Sequence, residues 1–190
     1  MSIIGFLAKQ RHGKDTAADY LVNKYQYKKL SFAKPIKDAC EKLFGFTKEQ
    51  LYGNKKEVKD EFWGISPRTA LRWLGTDIFR EQIGKIIPHI KNNFWVTRTN
   101  QICINEFKNN PKAKLTVADV RFQNEVDAIH DMGGIVIKIY RPNMNDVSNH
   151  ISEKEIDNIK NYDKLIVNDG TIEDLYKKIH SAISSNENII

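Results

Sequence analysis

Apolar residues fall into five short runs along the chain, at 3–7, 29–32, 115–118, 135–140 and 165–167. Each is too short for a helix and is bounded by polar or turn residues, so each predicts a buried strand. Helical spacing fills the gaps between them. A helix is expected over 14–24. A second follows Pro35, with Ile36, Ala39, Cys40 and Leu43 on one stripe. Ser66-Pro67 is a helix start, a cap residue followed by proline at the first position. Leu71, Leu74 and Ile78 continue it. Another helix is expected over 94–107, ended by Asn109-Asn110-Pro111. Phe122, Val126 and Ile129 make a stripe closed by Gly133-Gly134, a helix stop. Leu175, Ile179 and Ile183 mark the last helix, with a frayed tail over 184–190. Residues 48–65 are charged and weakly patterned, and read as a mobile flank. Strands alternating with helices predict an α/β fold with a five-stranded parallel sheet covered on both faces, hence three layers. At 190 residues the chain is expected to be one domain, with a helical insertion over about 48–110.

The first run leads into the clearest chemical signal. Residues 3–18 read IIGFLAKQRHGKDTAA: an apolar strand, a loop ending Gly13-Lys14-Asp15-Thr16, then a helix start. That is the order of a phosphate-binding loop. The first N–H groups of a helix lack intrahelical partners, and the macrodipole is positive there, so an anion is favoured. Lys14 would reach outer phosphates, and Thr16 offers a hydroxyl to phosphate or metal. Ala8 stands where the usual G-x-x-x-x-G-K-[ST] pattern has its first glycine. Asp15 takes the Ser/Thr slot, with Thr16 following it.

In an open parallel sheet, ligands bind beyond the carboxyl ends of the strands. The predicted exits carry residues 8–16, then 33–37 with Lys37, then 119–125, then Arg141-Pro142, then Asn168-Asp169-Gly170. Together they describe a cleft for several phosphates and at least one carboxylate. Asp119 could orient magnesium or serve as an acid/base group, or could cap the next helix. Arg121 could fork a phosphate or join a surface ion pair. Arg68 and Arg72 are four apart on one helix face, which suits a monophosphate or a solvated surface. Trp63, Trp73 and Trp95 could stack on a base or fill a core. His12 lies in the loop within reach of phosphate, and the other four histidines have no ligand spacing.

The net charge of +6 fits an anionic ligand, nucleic acid or an acidic surface. A nucleic-acid module should cluster basic and aromatic residues on one face, and no such cluster is found. Cys40 and Cys103 form neither a metal motif nor a disulfide framework, which points to a reducing compartment. No apolar run is long enough to span a bilayer, and no secretory leader is read at the start.

The chain resembles the deoxynucleoside monophosphate kinases of bacteriophages and large DNA viruses. The resemblance rests on Arg11-His12-Gly13-Lys14-Asp15-Thr16-Ala17-Ala18-Asp19, Ala33-Lys34-Pro35-Ile36-Lys37-Asp38-Ala39, Arg68 with Leu74-Gly75-Thr76-Asp77, and Phe94-Trp95-Val96. It continues in Asp119 with Arg121 and Glu125, Gly133 with Val136-Ile137, Arg141-Pro142, His150-Ile151-Ser152-Glu153 and Val167-Asn168-Asp169-Gly170. It implies a P-loop kinase fold and phosphorylation of deoxynucleoside 5′-monophosphates to diphosphates by ATP with Mg2+, a step of deoxynucleotide supply. Arg11, Gly13, Lys14, Asp15 and Thr16 would then hold the ATP phosphates, and Asn168 and Gly170 would border adenine. Lys37, Arg68, Asp119 and Arg121 would surround the acceptor phosphate and sugar. Gly75, Thr76, Trp95 and Glu125 would lie near the nucleoside. Lys14, Arg68, Arg121 and Asp119 would carry catalysis, with Asp15 or Asp119 orienting magnesium through water. The implied partners are ATP and the monophosphate, without membrane or nucleic acid, and a homodimer is left open. The implied location is cytoplasmic, in the host cell for a viral protein. A kinase of another small acceptor, such as dephospho-coenzyme A, is the alternative within enzymes.

Overall fold

The computed structural model describes residues 2–142 and 151–184. The 185–190 part of the expected tail and His150 lie outside them. The chain forms two compact units, one from Met1–Ser31 and Asn100–Ile190, the other from Phe32–Thr99.

The first unit holds a five-stranded sheet: β1 (Ser2–Leu7), β2 (Lys28–Leu30), β3 (Lys114–Val120), β4 (Ile135–Tyr140) and β5 (Lys164–Val167). The order is β2-β3-β1-β4-β5, and every pairing is parallel. All six residues of β1 are buried, as its central place requires. Alternation along the strands sorts the two faces. Ile4 and Phe6 of β1, Ile137 and Ile139 of β4 and Ile166 of β5 pack with Ala17, Ala18 and Leu21 of α1 (Lys14–Tyr25). Leu175, Ile179 and Ile183 of α8 (Ile172–Ser184) join that cluster. On the opposite face, a Cβ at Gly5 would lie 2.5 Å from Ile129 of α6 (Gln123–Asp131). Glycine there lets α6 approach the sheet. Lys138 of β4 donates from Nζ to the Ile156 carbonyl of α7 (Ile151–Asn158), at 3.0 Å. The five predicted strands are all present, and the sandwich has three layers.

Two irregularities of the first unit bear on function. Gly5 of β1 pairs with Val117 but Leu7 pairs with Val120, so β3 carries an extra residue just where Asp119 sits. Such a bulge re-aims a side chain at the end of a strand. The turn before α1 contains two left-handed residues, Arg11 (φ 66°) and Gly13 (φ 104°). Ala8 does not have a positive φ and is fully buried. The left-handed bend thus falls later in the loop, which is why alanine serves at position 8.

The second unit is helical: α2 (Lys34–Phe44), α3 (Lys48–Tyr52), a 3-10 turn at Asn54–Glu57 and α4 (Pro67–Arg72). The chain continues as a π-helical stretch over Trp73–Gln82, and α5 (Phe94–Asn109) runs past Thr99 into the first unit. Cys40, Phe46, Leu51, Ala70 and Leu74 form its core. Residues 48–65 correct the expectation of a mobile flank. Thr47 and Gln50 make a reciprocal capping box on α3. Asp60 accepts from Gln50 Nε2 at 2.8 Å and from the N–H groups of Phe62 and Trp63. Trp63 Nε1 donates to the Phe44 carbonyl at 2.8 Å. Polar side chains order this segment, and a hydrophobic pattern does not register them.

Candidate active site

Gly13 is the cap of α1, and two constraints keep it glycine. Its φ lies in the region glycine alone enters at low cost. An added Cβ would also fall 2.7 Å from Asn168 Nδ2. Lys14 opens the helix and is only 7% exposed. Its Nζ donates to the Lys9 carbonyl at 3.4 Å, across the loop.

The loop is tied down from three sides. Asn168, just after β5, donates from Nδ2 to the His12 carbonyl at 3.1 Å. The Arg141 N–H, just after β4, donates to His12 Nδ1 at 3.2 Å. Lys9 pairs with Asp157 of α7 at 2.7 Å. His12 is a buried brace of the loop, its Nδ1 accepting from the Arg141 N–H. Its ring also meets Tyr140 edge-on.

The loop walls a cavity of about 360 Å3 at the carboxyl ends of β1, β4 and β5. Arg11, Gly13, Lys14, Asp15, Thr16, Asn168 and Gly170, all expected on the donor side, line it together. Arg141, Thr171, Ile172 and Leu175 line it too, and of these the sequence pointed only to Arg141 as part of the cleft. Arg141 carried a signal, since it follows directly on β4. Leu175 and Ile172 read as ordinary helix positions. The cationic and helix-terminal groups suit a polyphosphate, and the apolar Ile172 and Leu175 suit an aromatic ring.

The carboxylates are placed differently from one another. Asp119 is half-buried and accepts from Ser31 Oγ at 2.6 Å. Ser31 had no sequence signal beyond its place after β2. Asp15 is exposed and pairs with Lys29 at 3.3 Å, and Lys29 also holds Asp19 at 2.8 Å. No group of three His, Cys, Asp or Glu side chains is poised for a metal among the described residues. The Thr16 hydroxyl and one strand-end carboxylate fit a magnesium ion held chiefly by phosphate oxygens and water.

Glu125 is 2% exposed. Its Oε2 accepts from the N–H groups of Arg121 and Phe122, at 2.8 and 3.3 Å, so it shapes the turn that carries Arg121.

Lys37, Arg68, Gly75, Thr76 and Trp95 belong to the second unit. The structure joins two of them: Trp95 Nε1 donates to the Gly75 carbonyl at 2.8 Å. Trp95 is 6% exposed and packs on Phe79 and Phe94. Its ring is core, and its N–H fixes the π-helical stretch. Gly75 is small because Ile36 of α2 passes within 2.9 Å of where its Cβ would be. Thr76 beside it is half-buried. Arg68 donates from Nε to Glu57 Oε1 at 2.7 Å. The Lys37 ammonium lies 4.0 Å from the centre of the Tyr52 ring. Trp63 and Trp73 are both partly exposed. No described helix is long and apolar enough to cross a membrane.

Comparison with known proteins agrees with this geometry. A protein of Acanthamoeba polyphaga mimivirus, provisionally named a deoxynucleotide monophosphate kinase, is 39% identical over 97% of both chains. The deoxynucleotide monophosphate kinase of Enterobacteria phage T4 is 25% identical over 96% of this chain and 99% of its own. A sugar kinase from Janibacter sp. superposes with a TM-score of 0.50 at 11% identity, covering 100% of this chain and 97% of that one, and so shares the fold. The family model described as "Deoxynucleotide monophosphate kinase" matches residues 2–66 and 46–179. The chain is a kinase with a P-loop α/β fold and belongs to the deoxynucleotide monophosphate kinase family.

Proposed function

We propose that the chain transfers the γ-phosphoryl group of ATP to a deoxynucleoside 5′-monophosphate, giving ADP and the diphosphate, and so serves deoxynucleotide supply. The carrying observation is the loop cavity, where Lys14, Arg11, Arg141 and the start of α1 converge at the strand ends. An acceptor phosphate oxygen attacks the γ-phosphorus, and the bond from that phosphorus to the β–γ bridging oxygen breaks. The acceptor oxygen is already anionic, so positioning and charge stabilisation are the main requirements. Lys14 leaves the Lys9 carbonyl for the transferring group. Arg11, Thr16 and the N–H groups at the start of α1 hold the remaining donor phosphates. Magnesium, when bound, would neutralise phosphate charge, with Thr16 and Asp119 the residues to hold it, through water at Asp119. The exposed Asp15 holds Lys29 against α1.

Arg121, set by Glu125, and Lys37 and Arg68 of the helical unit are assigned to the acceptor. Residues 1–190 then act as one kinase domain whose helical unit is the acceptor-binding element. The test is ADP release measured with a panel of acceptors. Turnover with deoxynucleoside monophosphates and none with dephospho-coenzyme A supports the reading. Turnover with dephospho-coenzyme A alone overturns it.

A further inference from the structure

We propose that Ser31 is a positioning residue for the metal of the bound nucleotide: its hydroxyl holds the Asp119 carboxylate in the orientation that serves magnesium. This rests on the reading of Asp119 as the carboxylate that holds magnesium through water. Two features of the sheet converge on Asp119. The bulge in β3 lies opposite the end of β1, where Gly5 pairs with Val117 and Leu7 with Val120. Asp119 therefore directly precedes the partner of Leu7, the last residue of β1 before the phosphate loop. On its other edge β3 pairs with β2, Leu30 with Val117, so Ser31 leaves β2 alongside the same bulge. Ser31 Oγ donates to Asp119 Oδ2 at 2.6 Å, from 88 positions earlier in the chain.

The terminal torsion of an aspartate is broad, so an unheld carboxylate samples many planes. A bond to one oxygen from a neighbouring strand end selects among them. Order that exists before the ligand arrives is not lost again at binding. A hydroxyl achieves this without bringing a positive charge, so Ser31 orients the acid and adds nothing that opposes a cation. Asp15 shows the other arrangement. Its side chain is 71% exposed, and its carboxylate pairs with the Lys29 ammonium at 3.3 Å. A cation already stands beside that acid, and solvent leaves it free to turn. Partners that orient a metal ligand without touching the metal change metal affinity by roughly 10- to 100-fold. Because Asp119 is assigned to act through water, the effect of Ser31 is expected at or below the lower figure. The bond could instead only pin β2, a strand of three residues, to β3. Its loss would then weaken nucleotide binding with and without magnesium alike.

Calorimetry of the full chain with ADP, once with magnesium and once with the metal chelated, tests this. The readout is the gain in affinity that magnesium confers. Asp119→Asn should abolish most of that gain. Ser31→Ala should lower it by about three- to tenfold and leave the binding of metal-free ADP unchanged. Adding Ser31→Ala to Asp119→Asn should lower the gain no further, because Ser31 acts through Asp119. An unchanged gain in Asp119→Asn overturns the metal reading of Asp119, and the proposal falls with it. A gain lost in Asp119→Asn but kept in Ser31→Ala overturns the positioning role alone. So does equal weakening of both forms of ADP by Ser31→Ala, or a further loss in the double variant.

Discussion

The phosphate loop and the helical Phe32–Thr99 unit hold their cations in opposite ways. Around the loop, polar groups are bonded to one another and to neighbouring strand ends: Asn168 to His12, His12 to the Arg141 N–H, Lys14 to Lys9. In the helical unit, Arg68 rests on Glu57, whose side chain is 67% exposed, and Lys37 rests on the half-exposed ring of Tyr52. Exposed pairs of that kind contribute about 0–1 kcal/mol. A phosphate dianion offers Arg68 a stronger bidentate partner than one screened carboxylate does. The phosphate loop is built before any ligand arrives, whereas Arg68 and Lys37, the cations proposed for the acceptor, sit on replaceable partners.

The severest test of that contrast is Lys14→Ala. It removes the charge proposed for the transferring group, so the rate should fall by about 100-fold or more while circular dichroism stays native. Near-normal turnover would remove Lys14 from the reaction. Arg68→Ala should raise the acceptor KM by about 10- to 100-fold, the value of one or two charge-assisted bonds, with ADP affinity unchanged in calorimetry. Loss of ADP affinity instead would place Arg68 with the donor and dissolve the comparison.

Glu57→Gln probes the replaceable partner itself. Freeing Arg68 from a weak exposed pair should lower the acceptor KM by about two- to fivefold. A raised KM would mean that Glu57 aims Arg68 at its ligand. The smallest effect concerns the two thiols. Burial pushes both Cys40 and Cys103 up to about 11, with the Glu106 charge adding to the effect at Cys103. Thiolate, the reactive form, is therefore scarce at pH 8, and alkylation should be slow and accelerate as pH rises toward 11. Cys40 lies in the core of the helical unit and Cys103 in the sheet-bearing unit. MgADP should slow Cys103 several-fold by mass action and leave Cys40 unchanged. Equal slowing of both would show the units opening together.

Much of this molecule is legible in its sequence because its strands are short apolar runs and its loop has a helix-start signature. The run at 135–140 is β4 residue for residue, and the Ser66-Pro67 start is α4 with Ser66 as its cap. The 48–65 stretch is not legible, because Thr47, Gln50 and Asp60 order it through side-chain hydrogen bonds that carry no periodicity. The loop residues are legible for the same reason the loop works, their order along the chain being their order in space. His12 and Ser31 are not, since each takes its role from a partner more than 80 positions away, Arg141 and Asp119. Trp95 shows the limit of residue type as a guide. A tryptophan suits a base, yet here its ring is buried and its N–H fixes the Gly75 carbonyl.

Hydrogen exchange with ligands added in turn tests the contrast most directly. MgADP alone should protect residues 9–18, 141 and 168–175, leaving 48–88 unchanged. Adding a deoxynucleoside monophosphate to MgADP should then slow exchange over 48–88. Protection of 48–88 by MgADP alone, or no added protection there with the monophosphate, would contradict a preformed donor loop paired with an acceptor element that responds to its own ligand.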